Sequence, residues 1–236
     1  MAGAFVFRHN APYAVNIYQV QDFVGRFAGT SKKPGFFFTL NQDLFIERHH
    51  YNGPAPTLPG IPPRQTWFSP NSTAPLEAEK VVLSATAATA LNLSAFNYLK
   101  LHGSSNWYTA DQQTMVIGHA KSNQIAGQPI LATYLDLFRS ALAMGDRRLL
   151  CIGYSFLDAH INTAILHGIK QGLRLYVLSP ESPDILFYRL KKQNEAGAIV
   201  WRALAAYFQT DLKTLFPPDQ SVTPEWKRLE SQFFRL

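Results

Sequence analysis

Lys100-Leu101-His102-Gly103-Ser104-Ser105-Asn106-Trp107 closes a largely apolar run, 96–101, at a histidine and a glycine and then opens into small polar residues. Two other segments do the same. Phe36-Phe37-Phe38-Thr39-Leu40 stops at Asn41-Gln42-Asp43, and Leu149-Leu150-Cys151-Ile152 stops at Gly153-Tyr154-Ser155. A short apolar run closed by polar residues or glycine predicts a buried strand that ends at a loop. Ligands of open α/β sheets bind outside the carboxyl ends of parallel strands. If the three strands are parallel, Asn41, Asp43, His102, Gly153 and Ser155 share one rim.

Working outward, the carboxyl half alternates. Leu131, Leu135, Phe138 and Leu142 predict a helix over 129–144, closed by Gly145. A strand is expected over 149–152. A helix follows over 158–171, with Ile161, Ile165 and Ile169 on one face and Gly172 after it. Then come a strand over 173–178, a helix over 184–194, a strand over 198–201, and a helix over 203–216 stopped by Pro217-Pro218. This rhythm predicts a Rossmann-like, doubly wound α/β fold, mainly parallel, with helices on both faces of the sheet. In the amino half, Ile17, Val20, Val24 and Phe27 have helical spacing, and 43–48 can make a short helix. Residues 84–92 are alanine-rich and predict a helix, and 107–117 a hairpin turning at Asp111-Gln112-Gln113. Residues 51–75 hold seven of the 15 prolines and predict a mobile loop or lid near the rim. The expected organisation is an aromatic helical segment over 1–35, the α/β domain over 36–216, and a carboxyl-terminal helix over 217–236.

Composition sets bounds on function. In 236 residues, hydrophobic content is 47% and net charge is +6. The basic residues are scattered in pairs, so nucleic acid is not expected as a direct ligand. The single cysteine, Cys151, excludes disulfide scaffolds and cysteine-based zinc ribbons. His49-His50 reads as solvated, and His160 and His167 as surface or packing residues, so no metal site is expected. No apolar run approaches the roughly 20 residues of a membrane span, and no signal segment opens the chain. A soluble cytoplasmic protein is expected.

The three strand-end motifs resemble those of sirtuin-like proteins. Thr39-Leu40-Asn41-Gln42-Asp43 is similar to their Thr-x-Asn-x-Asp element, and Lys100-Leu101-His102-Gly103-Ser104 to their Lys-Leu-His-Gly-Ser element. Ile152-Gly153-Tyr154-Ser155-Phe156-Leu157-Asp158 resembles the late Gly-x-Ser strand end of the divergent bacterial branch. The resemblance covers 36–216. It implies NAD chemistry, with His102 as catalytic base and Asn41 and Asp43 facing the nicotinamide and its ribose. Thr39, Gly103, Ser104, Gly153 and Ser155 are implied contacts of the dinucleotide. One cysteine cannot build the four-cysteine zinc module of the protein deacylases. The resemblance therefore implies the zinc-free branch, with NAD as substrate, hydrolysis of its nicotinamide–ribose bond, and a role in prokaryotic anti-phage defence. A homo-oligomer or a partner protein is the expected context.

The chemistry fits these residue types. Cleaving the nicotinamide–ribose bond builds positive charge on the sugar as a neutral base leaves, a step that needs positioning and a favourable field. Asp43 can supply negative charge, Asn41 can hold a water or a ribose hydroxyl, and His102 can take a proton. Plainer readings stay open: a structural histidine at 102, turn and cap residues at 41 and 43, and a simple strand-to-helix turn at 153–155. The family's opening Gly-Ala-Gly-x-Ser loop has its nearest approach here in Ala2-Gly3-Ala4-Phe5, read as chance. That reading predicts weak NAD affinity, a dissociation constant on the order of 1 mM or worse. A catalytically weak NAD- or ADP-ribose-binding regulatory or assembly module is the alternative.

Overall fold

A computed structural model describes residues 16–49, 56–62, 79–84, 88, 93–109 and 112–235. The chain divides into two compact units, Ile17–Asp136 and Leu137–Leu236, and Asn16 belongs with the second. The turn residue Asp111, His50 and nearly all of the alanine-rich segment lie outside the described residues.

The first unit starts with α1 (Ile17–Gly25), which buries Val20, Phe23 and Val24. β1 (Gly35–Thr39) follows, then the short α2 (Phe45–His49), β2 (Val81–Val82), β3 (Phe96–Lys100), β4 (Gly103–Tyr108) and β5 (Gln113–Met115). α3 (Lys121–Ala126) and α4 (Pro129–Leu142) come next, and the division between the units falls within α4. β1 pairs in parallel with β3, in the register Thr39↔Lys100. All five residues of β3 are buried. A strand buried on both faces belongs in the interior of a parallel sheet. Its Asn97 is fully buried and satisfied: the side chain donates to Gly35 O (3.2 Å) and Ser94 O (2.8 Å) and accepts from Ser94 N–H (2.9 Å). β4 pairs with β2 in parallel and with β5 antiparallel, so the expected hairpin is present but starts at Gly103, four residues before the expected Trp107.

Of the proline-rich loop, residues 56–62 are described, and they are bonded to β3. Thr57 makes a parallel bridge to Asn97. Its N–H donates to Phe96 O at 2.9 Å, and its carbonyl accepts from Tyr98 N at 2.8 Å, along the edge of β3 that β1 leaves open. Leu58 and Ile61 are buried, and Tyr134 Oη donates to Pro59 O at 2.6 Å. Proline disfavours helix but not an extended edge segment, whose outward N–H needs no partner. Residues 51–55 and 63–75 lie outside the described residues. Limited proteolysis under native conditions is expected to leave 56–62 uncut, and a cleavage product ending there would contradict the pinned segment.

The second unit is β6 (Arg148–Ile152), α5 (Ala159–Lys170), β7 (Arg174–Ser179), α6 (Pro183–Lys191), α7 (Asn194–Arg202), β8 (Leu204–Gln209), α8 (Leu212–Leu215) and α9 (Pro224–Leu229), followed by a π-helical turn at Glu230–Phe234. β6, β7 and β8 lie in that order, all parallel. Strand–helix–strand crossovers of this kind are the unit of α/β folds. Ile161, Ala164, Ile165, Leu186, Leu190 and Val200 on the helices and Leu175, Val177 and Phe208 on the strands are among the buried residues of this unit's core.

Two expectations are corrected here. Residues 198–201 are not a strand but the end of α7, whose buried positions Gly197 and Val200 are three apart, the helical period. Residues 203–216 are not one helix. Leu204–Gln209 forms β8 beside β7, and only Leu212–Leu215 is helical after it. Alanine-rich Leu-Ala-Ala-Tyr-Phe has good intrinsic helix propensity, but the open edge of β7 decides its state. The strand–helix rhythm survives with its last elements shifted. The chain is an α/β protein with mostly parallel strands, consistent with a Rossmann-like fold.

Candidate functional site

In the first unit, two of the motifs meet. Because Thr39 pairs with Lys100, the segments after them leave the same end of the parallel pair. Leu101 N–H donates to Thr39 O (2.9 Å), and Thr39 Oγ1 accepts from Asn41 N–H (3.0 Å), turning the chain as β1 ends. Gln42 then joins the two segments. Its carbonyl accepts from Ser105 N–H at 2.8 Å, and its side-chain amide donates to His102 O at 3.4 Å and to Val116 O. His102 O also accepts from Val116 N–H at 3.0 Å. Asn41, Asp43 and His102 are therefore carried by two loops stitched together through main-chain groups.

Asn41 is exposed, Asp43 partly buried, and His102 only 3% exposed. One carboxylate oxygen of Asp43 accepts from Phe45 N–H at 2.9 Å and turns the chain into α2, so the expected cap is present. Gly103 has φ +75°, and Ser104 is wholly buried, its hydroxyl donating to Asn106 Oδ1 at 2.8 Å. Asn106 in turn donates to Glu79 O at 2.7 Å. Gly103 and Ser104 thus turn and lock β4.

Beneath this rim lies a buried charged group. Lys100 Nζ donates to Glu47 Oε1 at 2.7 Å and to Asp43 O, and Tyr98 Oη donates to Glu47 Oε2 at 3.4 Å. The Lys100 and Glu47 side chains are 0% and 2% exposed. Burial raises the Glu47 carboxyl above the usual carboxylate range, and Lys100 pulls it back down. Burial likewise lifts the Tyr98 phenol well above its ordinary value, with Glu47 adding to the effect. Glu47 and the role of Gln42 are not evident in sequence. His49, expected to be solvated, is partly buried against Phe45, with ring centroids 5.1 Å apart; burial, then Arg48, lowers its pKa.

The third motif lies in the second unit, after β6. Gly153 N–H donates to Leu178 O at 2.9 Å. The glycine has φ +61°, is exposed, and has nothing within 4 Å of the place a Cβ would take. A strand-end glycine with open space above it lets a ligand approach the backbone closely. Tyr154 Oη donates to Asn162 Oδ1 (2.8 Å), while Asn162 Nδ2 and Gln193 Nε2 both donate to Phe156 O (2.7 Å each). Arg189 donates to Ser155 O (3.2 Å) and forms a bidentate pair with Glu181 (3.0 and 2.9 Å). Asn162, Gln193, Arg189 and Glu181 come from elements after the motif, and no local pattern marks them. Cys151, two residues before Gly153, is buried, which pushes its thiol up to about 12 and keeps it in the protonated, weakly nucleophilic form near neutral pH.

Hydrogen bonds from Arg189 hold the Glu181 carboxyl below its ordinary 4.5. A carboxyl with a depressed folded-state pKa adds stability that is present above 4.5 and lost as pH falls through the lower folded value. The clamp on Ser155 is therefore expected to persist in mild acid and open only below the ordinary carboxylate range. The NMR pH titration of the Ser155 and Tyr154 amides checks this: a transition above 4.5 would contradict it.

A family model of SIR2-like domains matches residues 35–201, and the chain belongs to that family. The match spans all three strand-end motifs. SIR2-like domains use NAD as substrate, which connects this domain to NAD. No curated protein matches the chain significantly. Among the described residues no helix is long and apolar enough to cross a membrane.

Proposed function

We propose that the chain is an NAD glycohydrolase of the SIR2-like family, cleaving the bond between nicotinamide and ribose. The observation that supports this most is the stitching of the Asn41–Asp43 loop to the His102 loop by Gln42, at the carboxyl end of the parallel β1–β3 pair. In this reading the Asp43 carboxylate lies near the ribose and favours the positive charge that develops as nicotinamide leaves. Asn41, exposed on the loop, holds the attacking water or a ribose hydroxyl. His102 takes a proton from that water, whose oxygen becomes bonded to the anomeric carbon as the C–N bond breaks and nicotinamide leaves as the neutral base with the bonding pair. Gly153, whose backbone is open, and Ser155 are assigned as contacts of the dinucleotide. Thr39, Gly103 and Ser104 act by shaping the two loops.

The biological setting proposed is prokaryotic anti-phage defence, in which NAD depletion arrests the infected cell, with a homo-oligomer or partner protein controlling activity. The test is release of nicotinamide from NAD by the purified chain, followed by chromatography. Expected products are nicotinamide and ADP-ribose in equal amounts. NAD left intact, alone and together with whole-cell extract of infected cells, would count against the enzyme reading. It would favour the non-catalytic module, for which the burial of His102 speaks.

A further inference from the structure

We propose that Lys100 is a positioning residue that fixes Asp43 at the candidate site through a charge-balanced clamp, an inference that rests on the NAD-cleavage reading above. Lys100 is the last residue of β3, two residues before His102, and its side chain is completely buried. Its ammonium reaches across to the loop after β1 and donates to the main-chain carbonyl of Asp43. One side chain thus ties the segment that carries Asp43 to the strand that leads into His102.

Stability alone does not call for this arrangement. A buried ion pair repays little more than its own desolvation, and well-packed apolar residues of similar volume commonly do as well or better. A lysine at this place does something an apolar residue cannot: it grips a carbonyl in an irregular loop. An unaccompanied ammonium would be harmful there, because it would oppose positive charge growing on a nearby ribose. Glu47 removes that conflict. It contacts the ammonium at 2.7 Å, is held in place by Tyr98 Oη, and cancels the lysine's charge. The clamp is then neutral overall, and the Asp43 carboxylate is left as the uncompensated negative charge beside it.

The test compares the wild-type chain, Glu47→Gln and the double variant Lys100→Met/Glu47→Gln by thermal melting, steady-state NAD cleavage and amide hydrogen exchange. The double variant removes both charges together and keeps the volume, so its melting temperature should stay near wild type. Its kcat should fall about 10–100-fold, because small displacements of a positioned group carry losses of that order, with KM changing far less. The amides of Phe45 and Ser105, which bond to Asp43 Oδ1 and Gln42 O, should exchange faster. Glu47→Gln keeps the grip on Asp43 but leaves the buried ammonium uncompensated, so it should melt lower than wild type and the double variant, while at temperatures where it is folded it should preserve slow exchange at both amides and lower kcat. Wild-type kcat together with wild-type exchange in the double variant would overturn the proposal, as would wild-type kcat in Glu47→Gln. If the double variant does not fold, Glu47→Gln decides by itself. A wild-type chain that does not cleave NAD refutes the enzyme reading and not the clamp, which the exchange of Phe45 and Ser105 still tests.

Discussion

Replacement of His102 by alanine is expected to lower NAD cleavage by roughly 10²–10⁴-fold, the usual loss on removing a general base. Asn41→Ala should produce a loss of the same order without unfolding the chain. The two variants differ in what they disturb. Asn41 is exposed, and its N–H, not its side chain, makes the bond to Thr39 Oγ1. Truncating it leaves the loop's hydrogen bonds in place, so its melting temperature should stay near wild type. His102 is 3% exposed, so alanine there also leaves a void, and a moderate fall in stability should accompany the loss of rate. The useful control is therefore His102→Gln, which fills most of the volume but cannot act as a base near neutral pH. Folded His102→Gln and Asn41→Ala proteins that release nicotinamide at wild-type rates would refute the assignment. Loss in both, with KM little changed, would place the two residues at the chemical step and not in binding.

What the sequence disclosed follows from where tertiary contacts matter least. The strands at 36–40, 97–101 and 149–152 were legible because each is an apolar run with a sharp polar or glycine end, and the observed β1, β3 and β6 agree within a residue or two. The helix over 129–144 was legible from its stripe, and Leu131, Leu135, Phe138 and Leu142 are all buried. Ala198-Ile199-Val200-Trp201 and Leu204-Ala205-Ala206-Tyr207-Phe208 were misassigned in opposite directions for the same reason. Short apolar segments carry no reliable period, and each took the state its neighbours imposed: α7 by burying Gly197 and Val200, β8 by completing a sheet with β7. The same holds for the proline-rich segment, where pairing of Thr57 with β3 was invisible locally. At the site, the reactive residue types were legible from their motifs, while the groups that hold them were not. Gln42 sits at a variable position of its motif, and Glu47 lies outside any motif; both act on main-chain carbonyls or a buried ammonium that only the fold brings near.

The two motif glycines should separate stability from binding. Gly103 has φ +75°, and a Cβ there would lie 2.1 Å from Thr114 O, a main-chain atom of β5 that cannot swing aside. Left-handed backbone costs an L-residue about 1–2 kcal/mol, and forcing an extra methyl into packed structure typically costs a further 1–3 kcal/mol or so. Gly103→Ala should therefore destabilise the first unit by several kcal/mol, roughly the sum, and a folded fraction should be lost at temperatures where wild type is intact. Gly153 has a similar φ, +61°, but open space where its Cβ would be. Gly153→Ala should cost only the backbone term, about 1–2 kcal/mol, and should fold. If the dinucleotide lies against that open backbone, the added methyl occupies space the ligand needs, and NAD binding should weaken about tenfold or more while the fold persists. Thermal melts of both variants, with calorimetric NAD titration of Gly153→Ala, make the comparison. Unchanged NAD affinity in Gly153→Ala would remove this glycine from the site and leave it a turn residue, and a Gly103→Ala protein as stable as wild type would mean that β4 and β5 can part there at little cost.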